Sequence, residues 1–141
     1  MKKLLLSIII LFLAIGAIYY IGVRGTYQTD LSVRDKNFWV QVVSTDRDRQ
    51  TGLSGRYDMC SKCGMLFVFD DMEDRSFWMK DMNFDIDMIF ADTEKRVVKI
   101  YENVNKDKFP ETYSAKAMYV LELKSGTAKN SGIVVGDVID W

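Results

Sequence analysis

The chain of 141 residues contains no histidine. That removes the commonest general base and the commonest transition-metal ligand together. No Ser–His or Cys–His catalytic arrangement can be built from it. The sequence also lacks a run of basic residues, so nucleic acid is not an expected partner. It has no internal repeat and no low-complexity stretch. Lys and Arg number 19 against 20 Asp and Glu. Setting Lys2 and Lys3 aside leaves 17 basic residues against those 20, a near balance.

What the chain does have is a long apolar start. Leu4 to Val23 is a run of twenty residues without a charge. At 1.5 Å per residue such a helix reaches about 30 Å, the hydrocarbon thickness of a bilayer. Lys2 and Lys3 favour a cytoplasmic N-terminus, so the remainder is expected outside. Tyr19 and Tyr20 sit where interfacial aromatics do. A cleaved secretory signal is the rival reading, with Ala14 and Gly16 as a small-residue pair. Signal cores run about 7–15 residues, however, and this run continues to Val23. No cysteine stands just after the run, so the lipoprotein route is excluded. Residues 1–23 are therefore read as an uncleaved single-pass anchor whose partner is the lipid bilayer through residues 4–23. Residues 24–36 are read as a polar stalk, and 37–141 as one globular extracytoplasmic domain. Secretion after cleavage would place the domain in the same compartment.

The hydrophobic pattern of the domain predicts short strands. Phe38–Ser44 is aromatic and β-branched, and Met65–Phe69 is short, continuous and apolar. Ser76–Met79, Ile86–Ala91, Arg96–Tyr101 and Ala117–Leu123 add further strands, with Val134-Val135 and Val138-Ile139 finishing the sheet. Thr45 reads as the N-cap of a polar helix closed near Gly52. A second short helix is expected over Gly126–Ser131, capped by Ser125 or Thr127. Asp70–Arg75 reads as an acidic turn, Asp92–Lys95 as a hairpin turn, and Phe109–Ser114 as a loop holding the single proline. The fold class is then α+β: a small, antiparallel-dominated, β-barrel-like domain of six or seven short strands with two short helices, preceded by one transmembrane helix.

Several blocks in this order resemble a known family. They are Thr51-Gly52-Leu53 with Arg56; Gly64 to Phe69; Phe77-Trp78-Met79-Lys80; Asp87 to Asp92; Val120-Leu121-Glu122-Leu123 with Gly126; and Gly132-Ile133 with Gly136-Asp137. Together they resemble the domain of unknown function 192 family, found in bacteria and archaea. The resemblance spans roughly Phe38 to Val138 and implies a compact β-rich fold with no established reaction. It departs at Asp81, where that family usually has Asn, and at Asp85, where it usually has Pro. The loop after Lys80 is thus more acidic than is usual there.

Three groups of residues could carry chemistry. Cys60 and Cys63 have the spacing of a redox pair, a local disulfide or half a soft-metal site. The helix that opens a thioredoxin-type pair is missing, so a loop staple or two idle thiols is the favoured reading. Met59, Cys60, Cys63 and Met65 together offer soft donors of the kind that select Cu(I), although strand methionines usually fill core gaps. Arg56, Trp78, Lys80 and Asp87 form a candidate ligand site. Asp87 lies in an apolar run, where a carboxylate is buried and paired or sits at a strand end. Glu122 reads as solvent-facing or as bonded to the Gly126 turn. Trp39 and Trp78 read as core residues more than as a sugar platform. No metal site and no cofactor are assigned. The leading functional expectation is a non-catalytic binding or accessory module of the cell envelope, acting on an unidentified envelope ligand or protein. The alternatives are a hydrolase using Asp87 with Lys80 or another carboxylate, and a thiol-redox or Cu(I) protein.

Overall fold

The computed structural model describes residues 28–141. The apolar run Leu4–Val23 lies outside the described residues. None of the helices among the described residues is long and apolar enough to cross a membrane.

The elements follow in the order β1 (Gln28–Val33), β2 (Lys36–Val43), α1 (Asp46–Thr51), β3 (Cys63–Trp78), β4 (Ile86–Ala91), β5 (Val97–Val104), a 3-10 turn (Lys106–Lys108), β6 (Thr112–Lys124), α2 (Thr127–Asn130) and β7 (Ile139–Asp140). All seven strands join one sheet in the order β5-β4-β6-β3-β2-β1-β7. Only β2 and β3 run parallel; the other pairings are antiparallel. The sheet curls until its two edges touch. The Val97 amide donates to the Asp137 carbonyl, the Gly136 amide to Val97, and the Ile139 amide to Lys95, beside a bridge between Arg96 and Val138. The result is a half-barrel of seven strands with two short helices.

Alternation along the strands divides the core by face. The inward face gathers Leu31, Val33, Phe38, Val40, Leu66, Ile89, Leu121 and Leu123, closed by Val97 and Ile139 of the edge strands. The outward face carries Val43, Met65, Phe67, Ile86, Met88, Phe90 and Val120. Polypeptide covers that face too: Leu53, Met59, Met79 and Phe84 pack on it from the loops that follow α1 and β3. Met65 and Met88 are core residues, as strand methionines are expected to be.

Several sequence expectations are corrected. The stalk boundary is one. Residues 28–33 form β1, because Leu31 and Val33 alternate with polar residues and bury completely against the inward face. The acidic segment Asp70–Arg75 is not a turn. It continues β3 through a bulge between Val68 and Glu73, with Asp74 opposite Lys116 on β6, a favourable cross-strand pair. The two strands expected on either side of it are therefore one. β6 begins at Thr112, inside the expected loop. At α2 the cap position is Gly126, in the left-handed region at φ 80°, with no side-chain cap bond. Val134 and Val135 are exposed and outside any strand. By contrast, α1 is capped as expected: the Asp48 amide donates to Thr45 Oγ1 at 3.2 Å, and the helix closes at Gly52.

Candidate functional site

Strand register places Gln41, Met65, Glu122 and Met88 in one row across β2, β3, β6 and β4. Glu122 therefore shares the outward face with two core methionines. It is 4 % exposed, and Val120, Leu121 and Leu123 around it are buried on both faces of the sheet. The sequence expectation that Glu122 faces solvent is thus overturned, since loops cover the face it points to. Burial pushes the Glu122 carboxyl up to about 8, and the Arg56 guanidinium pulls in the opposite direction. Arg56 is exposed as a residue, yet its guanidinium end is enclosed enough for desolvation to lower its own value, with Glu122 opposing.

Glu122 borders a cavity of about 730 Å³. Leu53, Phe67 and Phe77 line its apolar part, and Trp78, Lys80, Asp81, Arg49 and Arg75 its polar part. One wall is α1 and the turn after it. Gly52 there has φ 50°, and a Cβ at this position would lie 3.4 Å from the Phe67 ring, so the wall approaches the sheet closely. The turn is tied to the loop after β3: Ser54 Oγ donates to the Lys80 carbonyl at 2.9 Å, and the Gly55 amide to Asp81 at 2.8 Å. Asp81 is left-handed at φ 57°, a region that short polar side chains tolerate. Two of the cations are already engaged. Arg49 donates to the Val68 carbonyl at 2.7 Å and to Asp46 at 2.6 Å, and Arg75 is bonded to Asp71. Both guanidinium groups lie against the Phe69 ring, at 4.9 and 4.1 Å from its centroid.

A smaller cavity of about 360 Å³ adjoins on the far side of Thr51 and Gly52. Arg56 and Gln41 line it, and Arg56 donates to Gln41 Oε1. The Arg56 backbone is fixed by Asn83, whose Nδ2 donates to its carbonyl at 3.0 Å.

The residues singled out from the sequence therefore separate. Trp78 and Lys80 line the larger cavity, Arg56 lines its neighbour, and Asp87 lines neither. Asp87 is fully buried on the inward face. Its Oδ1 accepts from the amides of Asn103 (2.8 Å) and Gly126 (3.1 Å), and its Oδ2 from Ala128 (2.8 Å). It is the Asp87 carboxylate, not Glu122, that holds the Gly126 turn. A catalytic pairing of Asp87 with Lys80 has no geometric basis, because the first points away from the cavity that the second borders. Trp39 and Trp78 are also corrected: both are exposed, at 61 % and 55 %.

Cys60 and Cys63 form a disulfide. Met59 and Met65 are buried in the outward core. The four sulfur donors required by the copper reading are thus committed elsewhere. Among the described residues no group of three or more Cys, Asp or Glu side chains is placed to hold a metal ion.

Sequence reasoning missed Glu122 as a site residue. A signal for it existed, since a single acid between Val120-Leu121 and Leu123 in a central strand has little chance of reaching water.

The comparisons agree with this fold. Two solved structures are similar over most of the chain. One is a protein of Sinorhizobium meliloti 1021 proposed to be a transcription regulator, 26% identical, covering 82% of this chain and 94% of that one, with a TM-score of 0.78. The other is a protein of unknown function from Novosphingobium aromaticivorans, 27% identical, covering 84% and 89%, with a TM-score of 0.77. No protein of curated function matches the chain. The family model of domain of unknown function 192, described as "Uncharacterized ACR", matches residues 28–141. The chain belongs to the domain of unknown function 192 family.

Proposed function

We propose that the domain is a non-catalytic binding module of the cell envelope, held at the membrane by residues 4–23 with the domain outside, and that its ligand occupies the cavity beside Glu122. One observation carries this reading. A carboxyl desolvated by burial stands at the edge of a cavity of about 730 Å³, with the Arg56 guanidinium as the charge that acts on it. Desolvating a carboxyl costs stability, and perturbed groups of this kind concentrate at binding sites. The lining is mixed, aromatic and charged, as ligand sites are. The disulfide suits an extracytoplasmic compartment.

The binding reading is tested by thermal-shift screening of the full chain in detergent against peptide and oligosaccharide fragments of the envelope. A saturable rise in melting temperature is expected, lost in Glu122→Leu, which fills the cavity edge with an apolar group. If no fragment raises the melting temperature of the wild type, the reading fails. A C-terminal reporter active only outside the cytoplasm tests the orientation. A second reading, general-acid catalysis, draws on the Glu122 carboxyl lying near 8, close to a working pH. Turnover of a bound fragment by the wild type, lost in a Glu122→Gln variant that still binds, would establish it in place of the first.

A further inference from the structure

β3 outruns its neighbour. β2 pairs with it only from Cys63 to Phe67, whereas β6 covers its other side from Gly64 to Trp78. Beyond Phe67 one edge of β3 has no strand beside it. The α1 segment meets that side at its two ends alone: Arg49 binds the Val68 carbonyl, and Ser54 and Gly55 bind the carbonyls of Lys80 and Asp81. Between these contacts the larger cavity opens, lined by Asp74, Arg75, Ser76, Phe77 and Trp78 in unbroken succession. Successive side chains of a strand point to opposite faces. Five consecutive lining residues therefore mean that the cavity runs along the edge of the strand. Alternate backbone amides and carbonyls of this stretch face it, and no backbone group among the described residues pairs with them there.

An unpaired edge is a template for another strand. We infer that the occupant of this cavity is an extended peptide segment of a partner protein, added to β3 as a further strand. The inference rests on the reading that the cavity is the ligand site. A peptide backbone repeats its donors and acceptors every two residues, about 6.6–6.8 Å, which is the spacing of the unpaired groups on β3. A polyol has no such repeat. The chemistry of the segment follows from the lining. An apolar side chain fits over Phe67 and Phe77 beside Glu122. A cationic flank fits the exposed Asp70 and Glu73 at the bulge, where Arg75 is already bonded to Asp71. The bulge and its charges guard the first part of the edge against open-ended pairing. Ser76-Phe77-Trp78, past the bulge, carries no such guard, so the open window is short and suits one docked strand.

The test uses fluorescence anisotropy with the full chain in detergent and a short fluorescein-labelled peptide of alternating lysine and valine. Saturable binding is expected. N-methylation of alternate amides in one register should weaken it by roughly tenfold or more, the effect of losing one or two backbone hydrogen bonds. N-methylation of the other set should leave it unchanged, because those amides face away from β3. Absence of saturable binding overturns the inference, as does equal tolerance of both methylated sets. The fate of the cavity reading is separate. If oligosaccharide fragments bind and Glu122→Leu abolishes their binding, the site stands and strand addition falls. If neither class binds, both fall.

Discussion

Asp87 and Glu122 sit almost side by side, yet in opposite worlds. Asp87 lies opposite Leu123, and Glu122 opposite Met88, so one register step separates the two acids on adjacent strands. The step turns Asp87 to the inward face and Glu122 to the outward one. Both are buried. Asp87 meets three backbone amides from the end of β5 and the start of α2, which replace the water it gave up. Glu122 meets two methionines in its row and a cavity. The first arrangement stabilises the fold, and the second costs stability and keeps a polar group available. Burial alone therefore does not separate a structural acid from a functional one; the donors around the carboxyl do.

Removing the structural acid should have the largest effect. Asp87→Ala strands three amides, that of Ala128 buried and those of Asn103 and Gly126 part-buried, and hydrogen bonds to a charged group are worth about 1.5–3 kcal/mol each. A loss above about 4 kcal/mol is expected, a large part of the roughly 5–15 kcal/mol of a typical domain. Urea denaturation measures it. A loss below about 1 kcal/mol would mean that the turn at Gly126 holds without Asp87, and the contrast between the two acids would collapse.

Glu122 should behave in the opposite sense. Its folded carboxyl lies at about 8, above its ordinary 4.5. The native state therefore holds a proton that the unfolded chain releases between those values. The contribution of Glu122 to stability is fullest below pH 4.5, falls as pH rises towards 8, and is flat above. Each pH unit of that gap corresponds to about 1.4 kcal/mol, so the fall amounts to a few kcal/mol. Glu122→Gln keeps the shape without the ionisation. The difference in stability between variant and wild type should shift in the variant's favour across this window. A difference that stays constant from pH 5 to 9 would show that Glu122 is solvated in the native state.

How far this contrast could be read from the sequence differs between the two acids. Asp87 stands in Phe84-Asp85-Ile86-Asp87-Met88, and its burial was legible from the apolar run. Its partners were not, because the amides of Asn103, Gly126 and Ala128 come from two distant turns. Glu122 was misread because alternation in β6 implies a wet face, and only tertiary structure shows that the loops after α1 and β3 cover it. The strands themselves were mostly legible. β1 escaped because its two buried residues are diluted by polar neighbours, and the middle of β3 because four acids in six residues resemble a turn. Those acids are tolerated in a strand because the edge they occupy is open.

Arg56 offers a finer test of the site. It is the cation that holds Glu122 down. In Arg56→Ala the Glu122 carboxyl should titrate above its wild-type value, seen by carboxyl NMR, while Gln41 loses a surface partner at a cost of about 1 kcal/mol or less. An unchanged Glu122 titration would remove Arg56 from the electrostatics of the cavity. It would then belong with the Asn83 contact, as a loop fastener.

The smallest effect on the Glu122 titration is expected at the disulfide. Cys60 and Cys63 are three positions apart, and the Cys63 amide already donates to the Cys60 carbonyl at 3.0 Å. The turn is thus closed by a hydrogen bond that does not need the sulfurs. Loop entropy for so short a closure gives at most about 2 kcal/mol. Cys63 opens β3 two residues before Met65, the residue that pairs with Glu122. A Cys60→Ser/Cys63→Ser variant should nonetheless keep the Glu122 titration and any cavity binding, because Gly64 holds the strand start: a Cβ there would lie 2.8 Å from the Glu122 carbonyl, so the backbones of β3 and β6 are locked at close approach. A shift of the Glu122 carboxyl in the double variant, read by the same NMR titration, would show that the sulfur bridge reaches the site through β3. The staple would then be part of the functional region and not of the scaffold.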